Sequence, residues 1–407
     1  MAKVAMVLTR SPGPPMTGRK SVIRSAIAAL LSEGHEVDLI IVARPDPAFR
    51  HPGRLMWLGT PGKASVLFNA ARVMLGASSS LNEALFQSRT LLAALRPLHK
   101  AYDFAIADTI RVAPYAAALG VPWHLDMDDL FSERYERFAA AAGDVSADTV
   151  LGYYRDSAPG LARAIPRSLM RHVLHAEAAR IRERELYWAG RANTVSLVSP
   201  HEAERFSRQL GRPVLSLPMS VGLATAQWTP RQAIAEPVFV GPLDYKPNLD
   251  ALDYYQREVF PALQQASAPW VLHHVGNAPE RLRRLFKDQV VRFEGYVADL
   301  AARLAAAACF VAPIVSGTGI KTKVLEAMAA GVPVITTAEG VSGLQVKHER
   351  ECLVCERPSD FAAAMRALSD RALAAHLSQN ARSYVQENFS PEVLRRRWAG
   401  VMRQLAR

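Results

Sequence analysis

Hydrophobic residues along this chain fall into short unbroken runs that alternate with stretches of helical spacing. Residues 3–8 (Lys-Val-Ala-Met-Val-Leu) are almost wholly apolar, the pattern of a strand buried on both faces. A loop rich in Pro and Gly follows over 9–20. Val22, Ile23, Ile27, Leu30 and Leu31 then recur at helical spacing over 21–33, Gly34-His35 ends that helix, and 36–43 reads as the next strand. A strand–loop–helix–strand unit of this kind opens a parallel doubly wound sheet. Further strands are expected at 104–107, 122–125 and 194–198, with helices at 64–75, 81–95 and 168–189; residues 49–100 are less regular. A second alternating series begins at Pro237-Val-Phe-Val-Gly241. It predicts helices at 248–263, 279–287, 297–307, 320–330, 358–369 and 371–388, with strands at 270–275, 291–293, 309–313 and 332–336. Two alternating halves without a shared repeat imply two domains facing an inter-domain cleft. The expected limits are 1–215 and 216–389, with a basic amphipathic helix at 390–407 returning to the first domain.

Composition narrows this picture. Half of the 407 residues are hydrophobic and mean hydropathy is +0.01, ample for two large cores. No run of ~18 apolar residues occurs, so a spanning helix is not expected, and the first residues read as a strand rather than a signal peptide. Cys309, Cys352 and Cys355 make no disulfide framework, which fits a reducing cytoplasm. Cys352 and Cys355 form a C-x-x-C, but they lie on an expected strand, where residues three apart face opposite ways, so a zinc pair is not expected.

The net charge is +11 and the pI about 9.8. No nucleic-acid motif accompanies the charge, so nucleic acid is not an expected partner. Attraction to anionic lipid head groups, placing the protein peripherally on the inner face of the membrane, or to a phosphorylated acceptor are the remaining readings. The apolar and basic segment 54–75 is either a membrane- or acceptor-facing patch or, the favoured reading, ordinary core. The Arg/Glu-laced stretch 168–189, with Glu177, Glu183 and Glu185, reads as a solvated helix face.

Candidate chemistry concentrates in 312–336, which reads as strand, glycine loop, helix, Gly-Val-Pro turn and strand. Gly317 and Gly319 allow positive φ and close backbone approach to a ligand. The helix start beyond them offers amides and a partial positive charge suited to a phosphate. Lys321 and Lys323 add charge, and Glu326 lies where a carboxylate would reach a ribose diol.

Leu325 to Val334, Leu-Glu-Ala-Met-Ala-Ala-Gly-Val-Pro-Val, resembles the signature of the retaining family-4 (group 1) glycosyltransferases of the GT-B superfamily. The resemblance implies an α/β fold of two Rossmann-like domains and transfer of a sugar from a nucleotide diphosphate sugar to an acceptor hydroxyl, with retention. It implies no cofactor beyond that donor and no metal. The acceptor would be a glycan, a lipid-linked sugar or a small molecule, bound mainly by the first domain, with the donor on the second. The position of Glu326 binds the donor ribose in that family, and the loop Ser316, Gly317, Thr318, Gly319, Ile320 and Lys321 binds the diphosphate. Thr318 stands where the family has a Glu that contacts the donor sugar, as in a sub-group with a Gly-x-Gly-x-Lys-x-Lys loop. Phe239 to Leu252 resembles the first strand and loop of the family's second domain; Lys246 matches the Lys that neutralises the leaving diphosphate. Pro242 replaces the partner Arg, and Lys321 is the candidate substitute. Gly18 resembles the sub-group's glycine after the first strand, and the turn at Tyr296 the site where backbone groups hold the base.

Asp126-Met-Asp128-Asp129 follows a strand at its carboxyl end. A D-x-D metal motif belongs to the other glycosyltransferase fold and is rejected here. Asp126 and Asp128 are candidates for acceptor contact or proton handling; helix capping is the alternative for Asp128 and Asp129, and His124 reads as a packed residue. A nucleotide-sugar epimerase of the same fold and a non-catalytic sugar-nucleotide binder remain alternatives. An NAD-dependent oxidoreductase fits poorly, since neither half has G-x-G-x-x-G after its first strand.

Overall fold

A computed structural model describes residues 1–14, 18–140, 167–224, 228–229, 236–266, 270–317 and 319–407. The chain divides into two compact units, Met1–Met219 with Leu394–Arg407, and Ser220–Val393.

The first unit is built on a seven-stranded sheet of order β3-β2-β1-β4-β5-β6-β7. Its strands are β1 (Lys3–Leu8), β2 (Glu36–Ile41), β3 (Leu55–Trp57), β4 (Phe104–Asp108), β5 (Trp123–Asp126), β6 (Thr194–Leu197) and β7 (Leu215–Ser216). Neighbours pair in parallel, with Val7 opposite Ala107 and Asp108 opposite Asp126. A parallel sheet needs both faces covered, and the central strands, Val4–Leu8 and Ala105–Asp108, are buried throughout. Strand order reverses between β1 and β4, so the loops beyond their carboxyl ends flank the crevice where open α/β sheets bind ligands.

The second unit holds a six-stranded sheet of order β10-β9-β8-β11-β12-β13. Here the strands are β8 (Val238–Val240), β9 (Leu272–Val275), β10 (Val291–Gly295), β11 (Phe310–Ala312), β12 (Val334–Thr337) and β13 (Leu353–Cys355). Its order reverses between β8 and β11. Both sheets therefore have Rossmann-like topology. All three cysteines are buried and free.

Local chemistry explains where the elements depart from the periodicity. The expected helix over 81–95 is two short helices, Leu81–Ala84 and Arg89–Ala93. The hydroxyl of Ser80 accepts from the Glu83 amide, and Ser88 accepts from Leu91, so each serine starts a new helix. The expected helix over 248–263 runs from Lys246 to Tyr254, widens into a π turn at Tyr255–Val259 and resumes at Phe260–Gln265. Pro261 has no amide to donate and its ring crowds the carbonyl of Arg257, which the wider turn relieves. β3 has no counterpart among the expected elements; it is a three-residue edge strand beside β2.

The helix Arg167–Ala189 corrects the expectation of a solvated charged face. Glu177 and Glu185 are buried. Glu177 accepts from the Asn82 amide at 2.9 Å, and Glu185 from the Ser132 amide at 3.2 Å and the Ser132 hydroxyl at 2.6 Å. Each carboxylate accepts from an amide at the start of a neighbouring helix, Glu177 beside the Ser80 cap. Among the described residues, Glu185 is thus the carboxylate that accepts from the start of the Phe131–Ala140 helix. Asp129 is paired with Arg134 at 2.5 Å.

The helix Pro391–Leu405 buries Leu394, Trp398, Val401, Met402 and Leu405 in the first unit's core with Val4, Met6, Ile23 and Leu30. An ion pair from Arg395 to Glu33 ties it to the helix Gly18–Ser32.

Candidate functional site

Each unit gathers polar side chains at the carboxyl ends of the strands where its sheet order reverses. In the first unit the centre is Arg19, on the first turn of the helix Gly18–Ser32. Its guanidinium is buried and pairs with Asp108 at the end of β4 at 2.5 Å, Asp126 at the end of β5 at 3.1 Å and Asp128 at 3.4 Å. Thr9, just past β1, donates its amide to Asp108 at 3.0 Å and its hydroxyl at 2.6 Å. Burial pushes Asp108 up, but Arg19, Arg10 and the Thr9 donors outweigh it and hold this carboxyl below the usual carboxylate range. Burial pushes Asp128 up to about 6, against the pull of Arg19. Asp128 and Thr109 both have positive φ, 68° and 72°. A β-branched residue pays a steric penalty there, and such backbone persists where the surroundings over-determine it, commonly at functional sites.

His124 is packed, as its place inside β5 suggests. Its ring nitrogens bond the Thr194 hydroxyl at 2.8 Å and the Ser196 hydroxyl at 2.9 Å. The ring meets Trp398 edge-on at 5.3 Å. Burial lowers its pKa to about 3, so it is neutral at physiological pH.

In the second unit the loop after β8 and the loop after β11 meet. Gly241 has φ 144°, and a Cβ there would lie 2.4 Å from the Asn248 amide nitrogen, so glycine is required by contact as well as by conformation. Asn248 donates to the Pro242 carbonyl at 2.7 Å and accepts from Lys323. His274, on β9, bonds through Nε2 to the Gly241 carbonyl at 2.7 Å. Lys246 opens the helix Lys246–Tyr254 and pairs with Asp250, whose other oxygen accepts from the Ser316 hydroxyl at 2.8 Å. Gly317 and Gly319 take φ 116° and 67°.

Lys321 ends this loop. Its ammonium donates to the Gly317 carbonyl at 3.3 Å, the Gly319 carbonyl at 3.0 Å and Glu339 at 3.0 Å. It braces the loop from within while keeping its charge beside it. The helix Thr322–Ala330 then begins with no side-chain cap. The first amides of a helix have no intrahelical acceptor and carry its positive dipole end. Glu326 lies on the second turn and, among the described residues, accepts no hydrogen bond; burial raises its pKa, with Lys323 opposing. Burial brings Lys323 down to about 7.

The structure thus joins Lys246, Ser316, Gly317, Gly319 and Lys321 in one cluster, with Ile320 in the same loop and Glu326 on the helix it feeds. Thr318 lies outside the described residues. Tyr296 is not part of the cluster: its side chain is 86% exposed beyond β10. Gly18, Asp126 and Asp128 belong to the first unit's cluster. Arg19, Asp108, Asn248 and Asp250 were not singled out by sequence. Arg19 directly follows Gly18, and Asn248 and Asp250 lie within the motif that supplied Lys246, the one signal that pointed to them.

Residues 236–371, which contain the whole of this second cluster, match the family model described as Glycosyl transferases group 1. A 69-residue stretch is 46% identical to YtcC of Bacillus subtilis (strain 168), whose name assigns it provisionally to the glycosyltransferases; the match covers 16% of this chain and 17% of that protein's length. Similar solved structures include Anabaena Alr3699/HepE in complex with UDP-glucose, with TM-score 0.63 and 15% identity over 99% of each chain. Sucrose-phosphate synthase from Thermosynechococcus elongatus gives TM-score 0.64 and 18% identity over 100% of this chain and 99% of that one. A mutant of S. aureus TarM, in complex with Fondaparinux, alpha-GlcNAc-glycerol and UDP, gives 0.65 and 10% over 98% and 99%. The chain has the two-domain GT-B fold of glycosyltransferases. Within it, residues 236–371 are similar to the group 1 glycosyltransferases.

Proposed function

We propose that this protein transfers a sugar from a nucleotide diphosphate sugar to an acceptor hydroxyl, with retention at the anomeric carbon, in the biosynthesis of a glycan or glycoconjugate. The observation that carries the reading is the uncapped start of the Thr322–Ala330 helix, reached through two positive-φ glycines, with the Glu326 carboxylate one turn further on. Loop and helix amides would take the diphosphate, and Glu326 would accept the hydroxyls of the ribose. Lys321, and Lys246 released from Asp250, would offset the charge that develops on the leaving diphosphate, the main electrostatic demand of such a transfer. Backbone groups at Tyr296 would hold the base. Ser316, Thr318 and Ile320 complete the donor loop in this reading.

The second unit is the donor-binding domain in this proposal and the first unit binds the acceptor. There Asp126 and Asp128 contact the acceptor or handle its proton, while Gly18 is assigned to donor binding. Asp128 suits proton transfer near neutral pH, since a base works best with a pKa close to the operating pH. HepE, which shares this fold, has been crystallised with UDP-glucose, which makes UDP-sugars the first donors to test. No metal is assigned a role, and the nucleotide sugar is the co-substrate.

The test is a thermal-shift screen of nucleotide sugars followed by turnover measurements. A true donor raises the melting temperature by mass action. Glu326→Ala is expected to weaken that donor by about 10- to 100-fold, roughly the loss of one or two charge-assisted hydrogen bonds. Its unliganded melting temperature should change little, because the carboxylate accepts no hydrogen bond among the described residues. Unchanged donor affinity in Glu326→Ala, or no stabilisation by any nucleotide sugar, would reject the reading. Donor turnover without an acceptor would point to the epimerase alternative.

A further inference from the structure

The helix Lys63–Met74, which follows the edge strand β3, turns the wrong face outward for a soluble domain. Ala64, Leu67, Phe68, Ala71 and Leu75 recur at helical spacing with Met74 beside them, the stripe that normally packs on a core. Here that stripe is exposed: Leu67 is 66% accessible, Phe68 59%, Met74 71% and Leu75 88%. Val73 is the buried residue of this helix. The opposite face is pinned by Asn69, which donates to the carbonyls of Ala84 at 3.0 Å and Gln87 at 2.9 Å. This outcome reverses the favoured core expectation for Leu67, Phe68, Met74 and Leu75; Leu55, Met56, Trp57 and Leu58 pack against the first unit's core, and Val73 is buried, as that expectation held. Exposed singly, such residues need no explanation, but a contiguous stripe marks an interaction surface.

Charge identifies the occupant. From residue 47 to residue 82 the sequence has no Asp or Glu, while Arg50, Arg54, Lys63 and Arg72 are all exposed. Arg72 lies over the Phe68 ring at 5.9 Å, its charge at the border of the apolar stripe. No described helix is long and apolar enough to cross a membrane; this one has 12 residues. Exposed Leu and Phe bordered by Lys and Arg, without acids, is the chemistry of a helix lying in the head-group layer.

We propose that the outer face of the Lys63–Met74 helix docks on an anionic lipid bilayer, with Leu67, Phe68, Met74 and Leu75 entering the acyl boundary and Lys63 and Arg72 meeting lipid phosphates. The surface lies in the first unit and does not depend on the transfer reaction proposed above.

Co-sedimentation of the full chain with sucrose-loaded vesicles tests this. One set is phosphatidylcholine alone and the other contains about a third phosphatidylglycerol. Association with the anionic set is expected to be roughly ten-fold or more stronger, and to weaken as salt is raised. The triple variant Leu67→Ser, Phe68→Ser, Met74→Ser should lose roughly ten-fold or more of that association while melting like the parent, since those side chains are already in water. Lys63→Glu with Arg72→Glu should weaken it as well. Equal binding of parent and triple variant, or no binding by the parent, overturns the proposal. Self-association in lipid-free sedimentation velocity that the triple variant abolishes, without vesicle binding, overturns it in favour of a second copy of the chain.

Discussion

The two polar clusters occupy equivalent places, beyond the strands where each sheet reverses its order, yet they treat charge in opposite ways. In the first unit, Arg19 is enclosed by Asp108, Asp126 and Asp128, so its charge is answered by the chain itself. In the second, among the described residues, the helix start has no side-chain cap and the Glu326 carboxylate accepts no hydrogen bond, with the nearby Lys323 charge alone acting on it. The contrast teaches that position at a switch point does not define a binding site. What does so is polar capacity left unspent by the fold; among the described residues the first cluster keeps less of it, in Asp128 and in the Arg19 Nη1 and Thr109 Oγ1 atoms, buried without hydrogen-bond partners.

Removing the central cation should therefore give the largest effect. Arg19→Met leaves three carboxylates facing one another in a buried space, and breaking a buried pair in this one-sided way costs about 3–5 kcal/mol. Urea denaturation should show that loss, and a variant as stable as the parent would mean the cluster is solvated and the contrast false.

Lys321→Met should cost less stability, about 1–2 kcal/mol, because the ammonium braces carbonyls that water can reach. It should also lower kcat/KM for transfer by about ten-fold or more, as a charge beside the proposed diphosphate is lost. Loss of stability without loss of transfer would recast Lys321 as a brace alone.

An effect of the opposite sign, confined to part of the pH range, is expected at Asp128. Its folded pKa, about 6, lies above the ordinary carboxylate value of 3.8. Ionisation therefore works against folding as pH rises from about 4 to about 6. Asp128→Asn, which tolerates the positive φ, should match the parent below pH 4 and gain at most about 3 kcal/mol above pH 6. If Asp128 handles the acceptor proton, kcat/KM of the parent should fall below pH 6, and the variant should lose that acidic limb with most of its rate. A limb that survives in Asp128→Asn assigns it to another group.

Much of the fold was legible because buried parallel strands are apolar throughout and Pro and Gly mark their ends; β1, β2 and β4 needed nothing else. β3 was not, since three residues at a sheet edge carry no periodicity of their own. The donor loop was legible because glycines, lysines and a glutamate sit close together in sequence. The Arg19 cluster was not, since Asp108 and Asp126 lie about 90 and 110 residues further along the chain and become its neighbours only through the parallel pairing of β4 and β5. Burial of Glu177 and Glu185 was hidden for a related reason. Charge-laced helices usually face water, and only the neighbouring helix starts explain why two of their acids turn inward.

Trp398 and its companions on the Pro391–Leu405 helix sit against β1 and the Gly18–Ser32 helix, about 390 residues beyond β1 in sequence. On a ribosome that makes about 5–20 residues per second, the opening sheet would wait tens of seconds for the segment that seals it. Until then its apolar flank, with Val4, Ile23 and Leu30, stays open to chaperones or to premature aggregation. Translation past the second unit is thus a condition for maturing the first, and an early stop that spares every proposed ligand contact would still release an unfinished protein.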